Sequence, residues 1–291
     1  MIKLENVSFS YGHNPVLKNV NISETEPIIL GLWGRNGSGK TTLMKVLSGM
    51  ENIDSGFINV NGIAPYNNKE TMKNITYMQE NHPFSDLWDV EDALRFGAYF
   101  NEKWDQELAE NLVNLFELPR KKKIKNFSKG MQTMVQIVVG LASKAPVTIM
   151  DEPTNGLDAY MRKQFKDALL NTVEEDPRLI ILSTHHIDEI EALCEKIAII
   201  HQNTIVRYEE MEELKMHGVH LSGTAEAVER LMEGHTILEK RRLGKQMNVM
   251  LDAAYSDEWK TRAKEAGVTA EKAALQDYLV NFTTKKEVSK I

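Results

Sequence analysis

Cysteine is nearly missing from this 291-residue chain. Cys194 stands alone, which excludes an internal disulfide and any cysteine-rich zinc site. No apolar run approaches the roughly 18 residues that a membrane span needs. No charged-then-apolar leader opens the sequence, so nothing suggests secretion. An excess of basic residues is also absent. The 35 Lys and Arg face 42 Asp and Glu, a formal charge of −7, which argues against a general nucleic-acid binder. Internal repeats and low-complexity tracts are not seen. These absences are expected of a soluble, intracellular chain that another protein can hold at a membrane. Cys194 itself closes Ile190-Glu191-Ala192-Leu193-Cys194, which reads as the apolar stripe of a core-packed helix. The one basic run, Lys121-Lys122-Lys123-Ile124-Lys125, reads as a solvated loop, with acidic lipid headgroups as its alternative contact.

What the chain has is a phosphate-binding loop. Gly34-Arg35-Asn36-Gly37-Ser38-Gly39-Lys40-Thr41 fits G-x-x-x-x-G-K-[ST] at every fixed position. The buried-strand pattern 28–33 precedes it, and a helical pattern, 41–47, follows. In that setting the glycines let backbone N–H groups turn toward phosphate oxygens, and the helix N-terminus adds partial positive charge. Lys40 is expected to reach the β- and γ-phosphates, and the Thr41 hydroxyl to ligate Mg²⁺. A second strand, 147–150, ends at Asp151-Glu152. Asp151 is expected in the Mg²⁺ shell. Glu152, at the carboxyl end of a parallel strand, is placed to take a proton from an attacking water. Thr148 interrupts the apolar run and is expected to hydrogen-bond within the sheet.

With Phe127-Ser128-Lys129-Gly130-Met131-Gln132 between these two segments, the chain resembles an ATP-binding-cassette (ABC) transporter ATPase over residues 1 to about 208. Its signature resembles Leu-Ser-Gly-Gly-Gln, with Phe127, Lys129 and Met131 departing from the commonest form and Ser128 and Gly130 retained. Ser128 can also cap the helix that follows. The resemblance implies ATP and Mg²⁺ as cofactors. Nucleotide contacts fall to Gly34, Asn36, Gly37, Ser38, Gly39, Lys40, Thr41 and Thr42, and to Ser128 and Gly130 across a dimer. Asp158, in Gly156-Leu157-Asp158, resembles the loop linking two active sites. His185 resembles the switch histidine, with His186 one residue away. Tyr11 resembles the aromatic that stacks on adenine. Thr41, Glu80 and Asp151 are the implied metal ligands. Glu80 resembles a variant coupling loop of some peptide-antibiotic export and immunity systems, and Gln79 is the alternative.

The implied fold class is α/β. A P-loop ABC ATPase core carries an antiparallel β subdomain and a helical subdomain at about 85–145, and a small C-terminal α/β domain follows. The domains are read as 1–208 for nucleotide binding and 209–291 for assembly. In the second, strands are expected near 219–221, 236–239 and 246–251, helices at 224–232 and from 256, and a last helix over 270–282. The implied function is ATP binding and hydrolysis driving a separate membrane permease, in the manner of exporters of peptides, antibiotics or related compounds. The partners would be that permease and a second ABC ATPase subunit, identical or not, with no nucleic acid. The location would be cytoplasmic, peripheral on the inner face of the cell membrane. The alternative is a soluble ABC ATPase of translation or DNA repair. Paired cassettes in one chain, long coiled-coil inserts or zinc-binding cysteines would mark it, and none is present. No Asn-Lys-x-Asp segment follows Asp151, against an unrelated GTPase.

Overall fold

The computed structural model describes residues 1–81 and 84–288. These form two compact units. Met1–His185 and Glu189–Tyr208 make the first; His186–Asp188 and the chain from Glu209 onward make the second.

The first unit is built on a six-stranded sheet. Its order is Ile75–Met78, Val147–Met150, Leu179–Thr184, Ile29–Trp33, Lys196–His201 and Thr204–Glu210. The first five strands pair in parallel. Strands covered on both faces read as continuous apolar runs, and every residue of Ile29–Trp33, Val147–Met150 and Leu179–Thr184 is buried. The last two strands are joined through Gln202 and Asn203, both at positive φ, a two-residue hairpin. Register decides what emerges at the carboxyl edge. Trp33 lies opposite Thr184, Met150 opposite Leu182, and Met78 opposite Met150. Gly34, Asp151, His185 and Gln79 therefore leave the sheet along one rim.

Beside it, Asn14–Glu24, Ile2–Tyr11 and Ser55–Val60 form an antiparallel sheet in that order. Its inward residues Val7, Leu17, Val20 and Ile58 share one core with Leu43, Met44, Val46 and Leu47 of helix Lys40–Leu47. The helix that opens on the phosphate loop is thus fixed by packing. The helical segment follows its caps. The Asp89 carboxylate accepts from the Asp92 N–H, and Asp92 reciprocates, starting helix Val90–Phe100. Asp105 caps Gln106–Leu115, and Ser128 caps Lys129–Ala142, as its sequence position suggests.

The second unit contains strand His217–Thr224, helix Ala225–Leu231, strands Ile237–Leu243 and Gln246–Ala254, helix Asp257–Glu265 and strand Thr269–Lys272. The four strands form an antiparallel sheet in the order second, third, first, fourth. Val219, Leu221, Val249, Leu251, Val228 and Trp259 make a core of its own. Helix Leu275–Val288 follows.

Three local expectations are corrected. Ile190–Cys194 is a single turn, not a helix: the Leu193 and Cys194 N–H groups both donate to the Ile190 carbonyl, and the next N–H, of Glu195, donates to Ile29. One turn suffices to give the apolar spacing that looked helical. Cys194 is buried, and burial pushes its thiol up. Second, 269–272 is a strand, because its pairing to Val219–Ser222 overrides helix propensity, and the last helix starts at Leu275. Third, the Thr148 hydroxyl, fully buried, finds no hydrogen-bond partner among the described residues. The sheet's own carbonyls are already engaged by strand pairing.

Gly97 lies inside helix Val90–Phe100, where a Cβ would run into the Trp104 ring. The Trp104 indole N–H is held at 2.8 Å by Gln106 Oε1, which limits its escape. Gly→Ala in a helix normally gains about 1 kcal/mol; overpacking costs about 1–3 kcal/mol. The clash is expected to win, so Gly97→Ala lowers the thermal unfolding midpoint. A raised midpoint would show that Trp104 moves freely.

Candidate functional site

The phosphate loop is shaped by two close approaches. A Cβ on Gly34 would sit 2.6 Å from both the Ile200 carbonyl oxygen and Ser38 Oγ. Gly39 holds φ at 109°, and a Cβ there would sit 2.9 Å from the Val16 carbonyl oxygen. Only glycine tolerates such positions. Ser38 Oγ is buried and has no hydrogen-bond partner among the described residues. Lys40 is 6% exposed; its ammonium donates to the Gly34 carbonyl at 2.7 Å and lies 3.3 Å from Glu152 Oε1. An orphaned hydroxyl and a buried ammonium inside a glycine-walled loop fit a phosphate group.

Glu152 bridges two partners. While Oε1 faces Lys40, Oε2 accepts from His185 Nδ1 at 2.9 Å. Its backbone is left-handed, φ 50°, which is uncommon for a residue with a side chain. Its N–H donates to Ser183 Oγ at 2.9 Å, and its carbonyl accepts from the Asn155 N–H at 3.0 Å. A strained backbone fixed at both ends is what holds a side chain in one direction.

Asp151 is almost fully buried. Oδ1 accepts from Ser183 Oγ at 2.5 Å, and Oδ2 faces the Tyr77 hydroxyl at 3.4 Å. Burial raises its carboxyl above its ordinary value; hydrogen bonds from Ser183 and Thr41 oppose the rise, and the Glu152 charge adds to it. Thr41 and Asp151 are therefore side by side, an oxygen pair suited to a hard cation such as Mg²⁺. Burial, then the Asp151 charge, pushes the Tyr77 phenol up, so it stays neutral.

Other expected residues form a second group. Ser128 Oγ accepts from the Met131 N–H at 3.2 Å. A Cβ on Gly130 would lie 2.7 Å from the Gly156 carbonyl oxygen. Asp158 Oδ1 accepts from the Met161 N–H at 2.9 Å, capping helix Ala159–Glu175. Glu80 belongs here too: its Oε1 accepts from Asn155 Nδ2 at 2.8 Å. Tyr11 stands apart from this group: it is 44% exposed, with its hydroxyl 3.3 Å from Glu51 Oε1 and its ring edge-on to Phe9.

Sequence reasoning passed over Ser183, Asn155 and Glu189. Ser183 ties the backbone of Glu152 to the carboxylate of Asp151. Glu189 accepts from Thr154 and from Arg162, at 3.0 Å for the latter, and so fastens the loop after Glu152. Ser183 had a signal, a small polar residue at the end of an apolar strand and two before His185. Glu189 had none, because its partners are distant in sequence.

The ABC transporter family model matches residues 17–155. The ABC transporter ATP-binding protein YtrB of Bacillus subtilis (strain 168) is 31% identical over 215 residues, covering 74% of each chain. The lantibiotic transport ATP-binding protein SrtF of Streptococcus pyogenes is 28% identical over 244 residues, covering 83% of this chain and all of that one. In three dimensions, the dimeric bacterial ABC transporter cassette MJ0796 superposes with a TM-score of 0.65 at 23% identity. That match covers 72% of this chain and 99% of the cassette.

The raised carboxyl of Asp151 carries a sign. A fold that raises an acid's pKa favours the protonated form. That stabilising contribution is complete below the ordinary carboxylate value and is lost as pH rises through the raised one. At neutral pH the ionised Asp151 therefore costs stability. Asp151→Asn is expected to raise the nucleotide-free unfolding midpoint at pH 7, with the gain shrinking in acid, while Mg²⁺-dependent ATP hydrolysis falls. Unfolding scans at pH 7 and pH 4 check this; a lower midpoint at pH 7 would mean the carboxylate is net stabilising.

Proposed function

This chain belongs to the ATP-binding proteins of ABC transporters, and from that premise we propose that it pairs with a second cassette around two ATP molecules to drive a separate permease. We take the cargo class to be exported peptides, antibiotics or related compounds. The observation that carries the reading is the joined group Lys40–Glu152–His185, with Asp151 beside it, at the carboxyl rim of the sheet. ATP hydrolysis is the family's activity.

Thr41 and Asp151, with Glu80 as the third expected ligand, would hold Mg²⁺, which would supply neutralisation of phosphate charge. The chain's own residues do the rest. Lys40 exchanges the Gly34 carbonyl and Glu152 for phosphate oxygens. Glu152, freed from Lys40 and still anchored through its backbone to Ser183, takes the proton of a water. His185 holds Oε2 and keeps the carboxylate aimed. The Tyr11 ring offers an exposed face for adenine. The exposed Ser128 and Asp158, with Gly130 buried beside them, would form the surface that meets the second cassette, and a cassette of this fold is known as a dimer. Likeness to a lantibiotic transport protein supports the cargo class. Among the described residues no helix is long and apolar enough to cross a membrane, and the permease is assigned to another chain.

A docking place for it is offered by the helical segment. Trp88, Phe96, Phe100 and Tyr99 form a chain of rings at centroid spacings of 5.0, 4.6 and 5.0 Å. Phe96, Phe100 and Tyr99 are exposed. With Phe84, Tyr77 and Val139 the first two line a mostly apolar cavity of about 230 Å³. Exposed contiguous aromatics of this kind mark protein contacts, and we assign the permease contact to them.

Glu152→Gln is expected to keep ATP affinity and to lose hydrolysis by about 10²–10⁴-fold, since an amide cannot take the proton. Size-exclusion chromatography with ATP should then show a dimer, and Lys40→Ala, which cannot hold phosphate, should not form it. Normal hydrolysis overturns the role of Glu152; a persistent monomer overturns self-pairing.

Phe96→Ser with Tyr99→Ser is expected to abolish co-purification with the permease without loss of ATP binding by the isolated chain. Pull-down from membranes and nucleotide titration decide it. Undiminished co-purification would move the docking surface elsewhere.

A further inference from the structure

Three segments that are remote in sequence meet at Glu80. Its Oε1 accepts from Asn155 Nδ2 at 2.8 Å and lies 3.5 Å from the Lys129 ammonium. The Lys129 stem in turn lies across Gly156: a Cβ there would meet Lys129 Cγ at 3.0 Å and Cδ at 3.1 Å. Gly156 holds φ at 85°, so both its backbone and its lack of a side chain serve this crossing. The neighbouring Gly130 abuts the Gly156 carbonyl oxygen, which a Cβ on Gly130 would meet at 2.7 Å. A cation in the first turn of helix Lys129–Ala142 sits at the unfavourable end of the helix dipole. The Glu80 carboxylate offsets that cost.

We infer that Glu80, Lys129 and Asn155 form a clamp within one chain, which ties the first turn of helix Lys129–Ala142 to the loop after Glu152 and withholds Glu80 from a divalent cation. Lys129 and Asn155 are thus positioning residues for Glu80. This rests on the proposed metal role of Glu80. One carboxylate cannot serve the clamp and a cation together, so the two compete. The clamp is built to lose that competition under the right conditions. The Glu80 and Lys129 side chains are 42% and 51% exposed, and exposed ion pairs are weak and screened. A cavity of about 360 Å³, lined by Glu80, Asn81, Lys129, Gln132, Thr133 and Gln136, gives the carboxylate space to move. When it moves, the helix and the loop lose their shared anchor, and a local change at one side chain becomes a change in how two segments are held.

Two measurements test the clamp. The first is hydrogen exchange in the nucleotide-free full chain. Glu80→Ala, Lys129→Met and Asn155→Ala are each expected to speed exchange at amides 130–133 and 155–157. Glu80→Gln should do less, because its amide oxygen still accepts from Asn155. Glu80→Ala combined with Lys129→Met should match Glu80→Ala alone. The second is Mn²⁺ binding in the presence of ADP, read by electron paramagnetic resonance. Lys129→Met is expected to tighten Mn²⁺ several-fold when Glu80 is present and to change nothing in a Glu80→Ala background. Unchanged exchange in all single variants overturns the clamp, and an equal gain of Mn²⁺ affinity in both backgrounds overturns the competition. Failure of the unaltered chain to bind Mn²⁺ with ADP would instead count against the nucleotide-site reading, and the exchange data would still decide the clamp.

Discussion

Lys40 brings a full charge to a place where 6% of it is exposed, and the cost of that desolvation has to be offset by the oxygens it meets. Those oxygens are the Gly34 carbonyl and the Glu152 carboxylate. Neither is placed by its own segment alone. Gly34 arrives from one strand of the sheet, Glu152 from another, and His185, which takes the other oxygen of Glu152, from the strand between them. The ion pair therefore demands a fixed register across three parallel strands. The close approach of Gly34 to the Ile200 carbonyl extends the demand to a fourth. Fully buried apolar strands can meet it, because slippage would displace a whole layer of packed side chains.

The site's two halves differ in how firmly they are held. Removing one member of a buried pair costs about 3–5 kcal/mol, whereas an exposed pair is worth about 0–1 kcal/mol. Lys40 with Glu152 is of the first kind, and Lys129 with Glu80 of the second. The group proposed to handle phosphate is preorganised by burial. The group that joins the helical segment to the loop after Glu152 is left able to rearrange. Preorganisation suits stabilisation of developing charge; a contact near thermal energy suits a part that must exchange partners.

Much of this is legible in the amino-acid sequence. Gly34–Thr41 was readable because its chemistry is local: every feature that makes it a phosphate loop lies within eight residues and two flanking patterns. Asp151-Glu152 is readable from the apolar run before it, and the cap Ser128 from a side chain that bonds three residues on; the cap Asp158 makes the same bond and was not anticipated. What stayed hidden was non-local. The turn Ile190–Cys194 carries helical spacing because a single turn already produces it, and only the next bond, to Ile29, ends it. Thr269–Lys272 became a strand through pairing with residues about fifty positions earlier. The bonds of Ser183 to Asp151 and of Asn155 to Glu80 depend on strand order.

All the residues assigned to nucleotide and metal lie at or before His185, so the second unit stands outside that chemistry. Its architecture still constrains an assembly role, which we propose for it. The outer strands of its sheet are Ile237–Leu243 and Thr269–Lys272. The first carries Lys240, Arg241 and Arg242, and the second Glu271 and Lys272, mostly exposed. Charged edge strands resist addition of a further strand. Helix Leu275–Val288 spends Tyr278, Leu279 and Phe282 on burial and joins Tyr278 to Asp252 through a 2.7 Å hydrogen bond, yet leaves Val280 exposed. Against these charged edges, the exposed Val280 on helix Leu275–Val288 marks the face we propose for an assembly contact made by this unit.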